Sequence, residues 1–177
     1  MNLLPQPCKL EIREGFLRSK KLNIINKCSD YRIEKALTYF DFDASGVQMI
    51  VKYDDLNSER YTLDIDENAI AINGDSLAGV FYGIQTLKQI FNMDNVPCMH
   101  IDDKPDMEYR GVYHDVTRGK IPTVKTMKKF IDTLAYYKIN SLQIYVEHTF
   151  PFKELGDRIK TTGYLTPEEI KELDDYC

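Results

Sequence analysis

Residues 109–118 read Tyr109-Arg110-Gly111-Val112-Tyr113-His114-Asp115-Val116-Thr117-Arg118, and the fold of the chain turns on the elements that this stretch begins. Gly111–Val116 has the pattern of a short strand. Thr123–Lys138 comes next as an amphipathic helix, with Met127, Phe130, Ile131, Leu134 and Tyr137 recurring on the face expected to be buried. Ser141–Glu147 is a second strand. Thr166-Pro167-Glu168-Glu169 then has the form of a capping box with proline at the first helical position, and opens a helix that runs to the end of the chain. Strand, helix, strand, helix in this order predicts parallel strands joined by a right-handed crossover. Two such βα units neither close a barrel nor fill both faces of an open parallel sheet, because such sheets bury both faces. The chain is therefore read as the front part of a longer protein.

Working back from Asp102-Asp103-Lys104-Pro105, the pattern is different. Cys8, Leu10 and Ile12 alternate with Lys9, Glu11 and Arg13, the period of a half-buried strand, and Leu22, Ile24 and Ile25 suggest a second one. Asp30 caps a helix expected to reach Phe40. Val47–Tyr53, Tyr61–Ile65 and Ala69–Ile72 alternate in turn, separated by polar turns, and predict a meander of antiparallel strands. A long helix runs from Ser76 to Asn92, with Leu77, Val80, Phe81, Ile84, Leu87 and Phe91 at helical spacing. Gly79 and Gly83 lie on it; each costs about 1 kcal/mol against alanine, so close packing onto a sheet is the expected compensation. Residues 1–104 thus read as an α+β domain, a small, mostly antiparallel sheet covered by helices, and residues 105–177 as a separate βα domain.

Composition bounds the function. With 177 residues the chain holds one domain or two small ones. A net charge of −5 gives no basic field for nucleic acid or an anionic membrane. Apolar runs all fall short of the ~18 residues a membrane span needs. The start, Met1-Asn2-Leu3-Leu4-Pro5, lacks the charged and apolar regions of a secretory signal, so a cytoplasmic location is expected. Cys8, Cys28, Cys98 and Cys177 are widely spaced, and His100, His114 and His148 are unpaired along the sequence, so neither a metal site nor a cofactor is expected.

Three stretches stand in series: Gly79-Val80-Phe81-Tyr82-Gly83-Ile84-Gln85-Thr86-Leu87-Lys88-Gln89; Ile101-Asp102-Asp103-Lys104-Pro105 with Tyr109 to Arg118; and Phe130-Ile131-Asp132 through Tyr137-Lys138-Ile139-Asn140. Together they resemble glycoside hydrolase family 20, the β-N-acetylhexosaminidases. The resemblance implies an α+β domain ahead of a (β/α)₈ barrel, of which 105–177 would be the first two βα units, since a complete barrel takes about 250 residues. It implies removal of terminal N-acetylglucosamine or N-acetylgalactosamine from glycans, with retention, by a substrate-assisted mechanism. There the sugar's 2-acetamido oxygen attacks the anomeric carbon to give an oxazolinium ion. An aspartate orients that group, and the adjacent glutamate protonates the leaving oxygen. The only Asp-Glu dipeptide in the sequence is Asp66-Glu67, in a turn of the first domain, so no catalytic residue is assigned and the chain alone is expected to be inactive.

Arg118 is the residue the resemblance places against the sugar, since the arginine of the D-x-x-R segment hydrogen-bonds hydroxyls at the terminal subsite. Its alternative is a structural pairing with Asp115 or another carboxylate. Asp115 is expected to orient neighbouring groups, and Arg110 to be structural at the bottom of the strand. Glu147 and His148 stand where many family members have a different, His- and Asp-rich segment. They either line the site or form an ion pair at its rim, and position leaves both open. Two other readings stay open: a non-catalytic interaction or scaffold domain, and a related retaining glycosidase with the same leading domain. An exposed barrel edge would let such a fragment self-associate.

Overall fold

Alternation of apolar and polar side chains builds the first half of the chain into one sheet. The computed structural model describes residues 2–154 and 163–177, and the chain divides into two units, Met1–Glu108 and Tyr109–Cys177. Unit 1 runs β1 (Lys9–Phe16), β2 (Leu22–Asn26), α1 (Tyr31–Leu37), β3 (Val47–Tyr53), β4 (Tyr61–Ile65), β5 (Ala69–Gly74), α2 (Leu77–Ile90) and β6 (Pro97–Asp103). Its six strands lie in the order β1-β6-β4-β5-β3-β2. Val47, Met49, Val51, Leu63, Ile65, Ile70 and Ile72 point to one face and are buried together with Val80, Ile84 and Leu87 of α2. Burying each such side chain contributes about 1.5–3 kcal/mol, and this is the core.

The sheet is mixed, which corrects the expected meander. β1, β6, β4 and β5 pair antiparallel, but β2, β3 and β5 run parallel. The connection from β2 to β3 passes through α1, as a parallel pairing requires. The segment 54–60 is too long for a tight hairpin and carries the chain past the position that β5 then fills. Bonds from Asp54 N to Gly74 O (3.0 Å) and from Leu56 N to Asp75 O (2.6 Å) hold that segment over the end of β5.

A second correction concerns β1. Among the described residues it pairs with β6 alone, Leu10 opposite Ile101 and Ile12 opposite Met99. α2 packs mainly on β3, β4 and β5, away from this edge. Ile12 and Phe16 are consequently 57% and 60% exposed rather than half-buried. Tyr31 and Tyr39, with the spacing of packed residues, are exposed as well.

α2 begins where its sequence predicts, with Ser76 accepting a bond from Gly79 N at 3.3 Å. It lies close on the sheet: a Cβ at Gly79 would stand 2.3 Å from the Arg60 carbonyl oxygen, and one at Gly83 would stand 2.7 Å from Ile72 Cγ2. A buried polar link ties helix to sheet. The Tyr61 hydroxyl donates to Asp103 Oδ2 at 2.9 Å and lies 2.7 Å from Thr86 Oγ1 of α2. The other oxygen of Asp103 accepts from Cys8 N at 3.1 Å.

Unit 2 contains β7 (Gly111–Asp115), α3 (Val124–Tyr136), β8 (Ser141–Tyr145) and α4 (Pro167–Tyr176). β7 and β8 are parallel. Thr123 caps α3, and Thr166 with Glu169 forms the expected capping box of α4. Along α3 only Met127 is fully buried. Phe130 meets the His114 ring at 5.4 Å, whereas Tyr137, expected on the buried face, is exposed. Salt-bridge and hydroxyl contacts, Lys128–Glu172 and Tyr176–Asp132, both at 2.7 Å, join α3 to α4. Among the described residues no helix is long and apolar enough to cross a membrane. All four cysteines are free thiols.

The contact at Gly79 yields a test of how closely α2 is seated. Gly79→Ala gains about 1 kcal/mol of helix propensity, but its Cβ meets a backbone carbonyl that cannot turn aside, and overpacking of this kind costs about 1–3 kcal/mol. We expect a lower urea midpoint than wild type. A midpoint equal or higher would show that the helix is not pressed against the Arg60 carbonyl.

Candidate functional site

Two strands that run the same way end on the same side, and this brings the site together. β7 and β8 are in register from Gly111–Ser141 to Asp115–Tyr145, and Val116 N bonding Tyr145 O at 3.2 Å is the last link between them. The segments after the two strands therefore emerge at one end of the sheet. Tyr113 and Asp115 share a face with Gln143 and Tyr145, and the rings of Tyr113 and Tyr145 meet at 5.6 Å. His114 points to the opposite face, onto Phe130 of α3.

Asp115 organises the segment after β7. Its Oδ1 accepts from both the backbone N and the hydroxyl of Thr117, each at 2.7 Å, which folds the chain back on itself. Its Oδ2 accepts from Arg118 Nη1. The Thr117 donors first, then the Arg118 guanidinium, hold the Asp115 carboxyl down at about 2. Gly119, with φ +87°, completes the turn in a conformation that glycine adopts without strain.

Arg118 is anchored at one end and open at the other. Nη1 also reaches Thr117 Oγ1 at 3.2 Å, Nη2 lies 3.5 Å from Glu147 Oε1, and the guanidinium sits 5.4 Å from the centre of the Tyr145 ring. The side chain is nevertheless 67% exposed, so its donors remain accessible.

Glu147 and His148 are presented by a tight turn after β8. Thr149 closes it, with its N and its hydroxyl donating to Val146 O at 2.6 and 2.7 Å. The turn places Glu147 at φ +31°, the left-handed region that non-glycine residues seldom occupy. The Glu147 carboxylate accepts from the Tyr145 hydroxyl, and its second oxygen lies 3.7 Å from His148 Nδ1.

The structure thus brings Asp115, Arg118, Glu147 and His148 to one place. Arg110 stands apart at the opposite end of β7, its N bonding Asn140 Oδ1 at 2.9 Å and its Nε bonding Lys138 O at 2.8 Å. Tyr145 also belongs to the cluster, although sequence reasoning does not single it out. Its place shows only in the register, which sets it opposite Asp115 on the face that carries Tyr113. One cation between two carboxylates offers both donors and acceptors, a set that suits neutral hydroxyl groups, each of which donates and accepts.

Among the described residues no group of three or more His, Cys, Asp and Glu side chains is arranged to hold a metal ion. Asp66-Glu67 lies in unit 1, in the turn between β4 and β5, where Asp66 pairs with Arg13 at 3.5 Å. Asp102 is bound by Arg60, and Glu169 serves in the cap of α4.

The sequence model described as glycosyl hydrolase family 20, domain 2, matches residues 1–104, more than half of the chain. The chain belongs to glycosyl hydrolase family 20. A β-hexosaminidase of Vibrio vulnificus is 30% identical over 157 residues, covering 82% of this chain and 18% of that protein. A β-hexosaminidase of Akkermansia muciniphila is 29% identical over 145 residues, covering 69% of the chain and 29% of that protein. The family 20 exo-β-N-acetylglucosaminidase of Vibrio harveyi, solved in complex with N-acetylglucosamine, superposes with a TM-score of 0.80 at 22% identity, over 98% of this chain and 34% of that one. At that identity the superposition shows a shared fold. This family 20 chain spans less than a third of the length of the two curated relatives.

The Asp115 turn predicts a titration. A carboxyl depressed in the folded state stabilises it above the ordinary aspartate range, and that contribution is lost as pH falls through the folded value of about 2. Carboxyl-carbon NMR should find Asp115 still ionised at pH 3. Thr117→Val, which removes the hydroxyl donor and keeps the backbone one, should raise its midpoint. An ordinary midpoint in wild type would contradict the bonding described.

Proposed function

We propose that this chain forms the leading α+β domain and the opening βα units of the (β/α)₈ barrel of a β-N-acetylhexosaminidase. The enzyme removes terminal N-acetylglucosamine or N-acetylgalactosamine from glycans with retention. In this reading the substrate's 2-acetamido oxygen attacks the anomeric carbon, so the C–O bond to the leaving group breaks as the oxazolinium ring forms. An Asp-Glu pair that is not among the site residues of this chain orients the acetamide and protonates the leaving oxygen.

The residues of this chain bind and orient. The observation that carries the reading is Arg118 at the C-terminal end of a parallel strand, anchored by Asp115 and facing Glu147, in a chain of family 20. The end of the strands where their C-termini emerge is the active-site face of a (β/α)₈ barrel. The guanidinium offers a planar fork of donors to two vicinal hydroxyls. Glu147 supplies an acceptor beside it, and His148 extends the rim. Asp115 sets the direction of Arg118, and Arg110 holds the far end of β7 to the α3–β8 loop.

The test uses a chromogenic N-acetyl-β-glucosaminide with the protein as made in its cell. Arg118→Ala should lower kcat/KM by about 100-fold or more, the loss of two hydrogen bonds to a charged group. The 177 residues alone should show no turnover. An Arg118→Ala variant with wild-type kcat/KM, or turnover by the 177-residue chain, would overturn the reading.

A further inference from the structure

The Arg118 cluster contains one side chain whose place the function leaves unexplained. Tyr145 is the last residue of β8, in register with Asp115. Its ring lies against the Arg118 guanidinium at 5.4 Å, backed by Tyr113 at 5.6 Å. Its hydroxyl donates to Glu147 Oε1, the same oxygen that faces Arg118 Nη2 at 3.5 Å. One residue therefore touches both partners of the exposed ion pair.

We propose that Tyr145 is a positioning residue: its ring seats the Arg118 guanidinium and its hydroxyl holds the Glu147 carboxylate, so that the two meet a sugar as one fixed donor–acceptor pair. The proposal rests on the reading of Arg118 as the sugar-binding residue and goes beyond it. Arg118 and Glu147 are long side chains at the surface, and an exposed pair of this kind is ordinarily loose. A loose pair loses rotamer freedom on every binding event, whereas a held one has lost it already. Two features make this pair a held one. Asp115 and Tyr145 brace the guanidinium from adjacent strands. Glu147 sits at φ +31°, a backbone state that persists only where the surroundings enforce it, and it accepts the Tyr145 hydroxyl there. Phenylalanine would supply the ring alone. The hydroxyl is what couples the aromatic seat to the acceptor.

The experiment compares Tyr145→Phe, Glu147→Gln, the double variant and Arg118→Ala in the natural protein, with the same N-acetyl-β-glucosaminide. Tyr145→Phe keeps the ring and removes one bond to a charged group, so KM should rise about tenfold while kcat changes much less and the melting temperature stays close to wild type. The double variant should be no worse than the poorer single one, because both remove the same link. A parallel readout needs no turnover. With tyrosine labelled at Cζ, the Tyr145 resonance should titrate above the usual phenol range, because a hydroxyl donating to Glu147 resists ionisation, and Glu147→Gln should bring it down. Impaired Arg118→Ala with wild-type KM in Tyr145→Phe, or single effects that simply multiply, would overturn the role of Tyr145 and leave the sugar-binding reading standing. An unimpaired Arg118→Ala would overturn both.

Discussion

The parallel pairing of β7 with β8 is the constraint on which the site depends. An antiparallel pair would send the segment after Asp115 and the segment after Tyr145 to opposite ends of the sheet, and Arg118 would have no access to Glu147. Parallel pairing in turn demands a crossover, which α3 supplies between Val124 and Tyr136. The register then decides which residues meet. Asp115 opposite Tyr145 puts the anchor of the guanidinium beside its aromatic seat. A slip of one residue would turn Tyr145 to the α3 side, where His114 already packs on Phe130.

Electrostatics at this strand end is a matter of geometry more than of strength. Each ion pair is exposed, and exposed pairs contribute little to stability. Their effect is to fix directions. Asp115 divides its two oxygens between the Thr117 turn and Arg118, so one carboxylate shapes the backbone and aims the side chain. Glu147 is shared between the Tyr145 hydroxyl and Arg118 on one oxygen and faces His148 with the other. Among the described residues of the cluster one positive charge stands between two negative ones, a balance of donors and acceptors that suits hydroxyl groups.

Much of this is legible in the sequence because local rules decide it. Apolar spacing announces the helices that follow Ser76 and Thr123, a capping box announces the one that follows Thr166, and all three helices begin there. Gly79 and Gly83 announce close packing of α2, and the Arg60 carbonyl and Ile72 are what they approach. Sequence reasoning fails where partners are distant along the chain. Alternation identifies β3, β4 and β5 as strands but carries no information on which one lies between the other two. β6 escapes because its inward positions include Asp103, a polar residue whose partners inside, the Tyr61 hydroxyl and Cys8 N among them, lie far away along the chain. β1 alternates like a half-buried strand, yet it lies at the sheet edge beyond β6, and α2 packs mainly on β3, β4 and β5. Tyr145 goes unnoticed for the same reason. Its role exists only across the register with Asp115, and no pattern within 141–149 displays it.

The two units differ in how far each has satisfied its own sheet, and this bears on the proposed barrel. In unit 1 the helix-facing sides of β3, β4 and β5 are buried, and the opposite face carries a polar group in which Asp64 of β4 bonds both Arg13 of β1 and His100 of β6. Unit 2 has a parallel pair with α3 on one face, while the other carries Tyr113, 58% exposed, beside Tyr145. Parallel sheets are stable when both faces are covered. In the proposed barrel the face bearing Tyr113, Asp115 and Tyr145 would be the interior side, and further parallel strands beside β8 would supply the rest. Their C-terminal ends would arrive at the same rim as Arg118 and Glu147. In that reading a carboxylate pair carried there would face the sugar proposed to meet Arg118, whereas one carried at the N-terminal ends would lie a full strand length away, near Arg110.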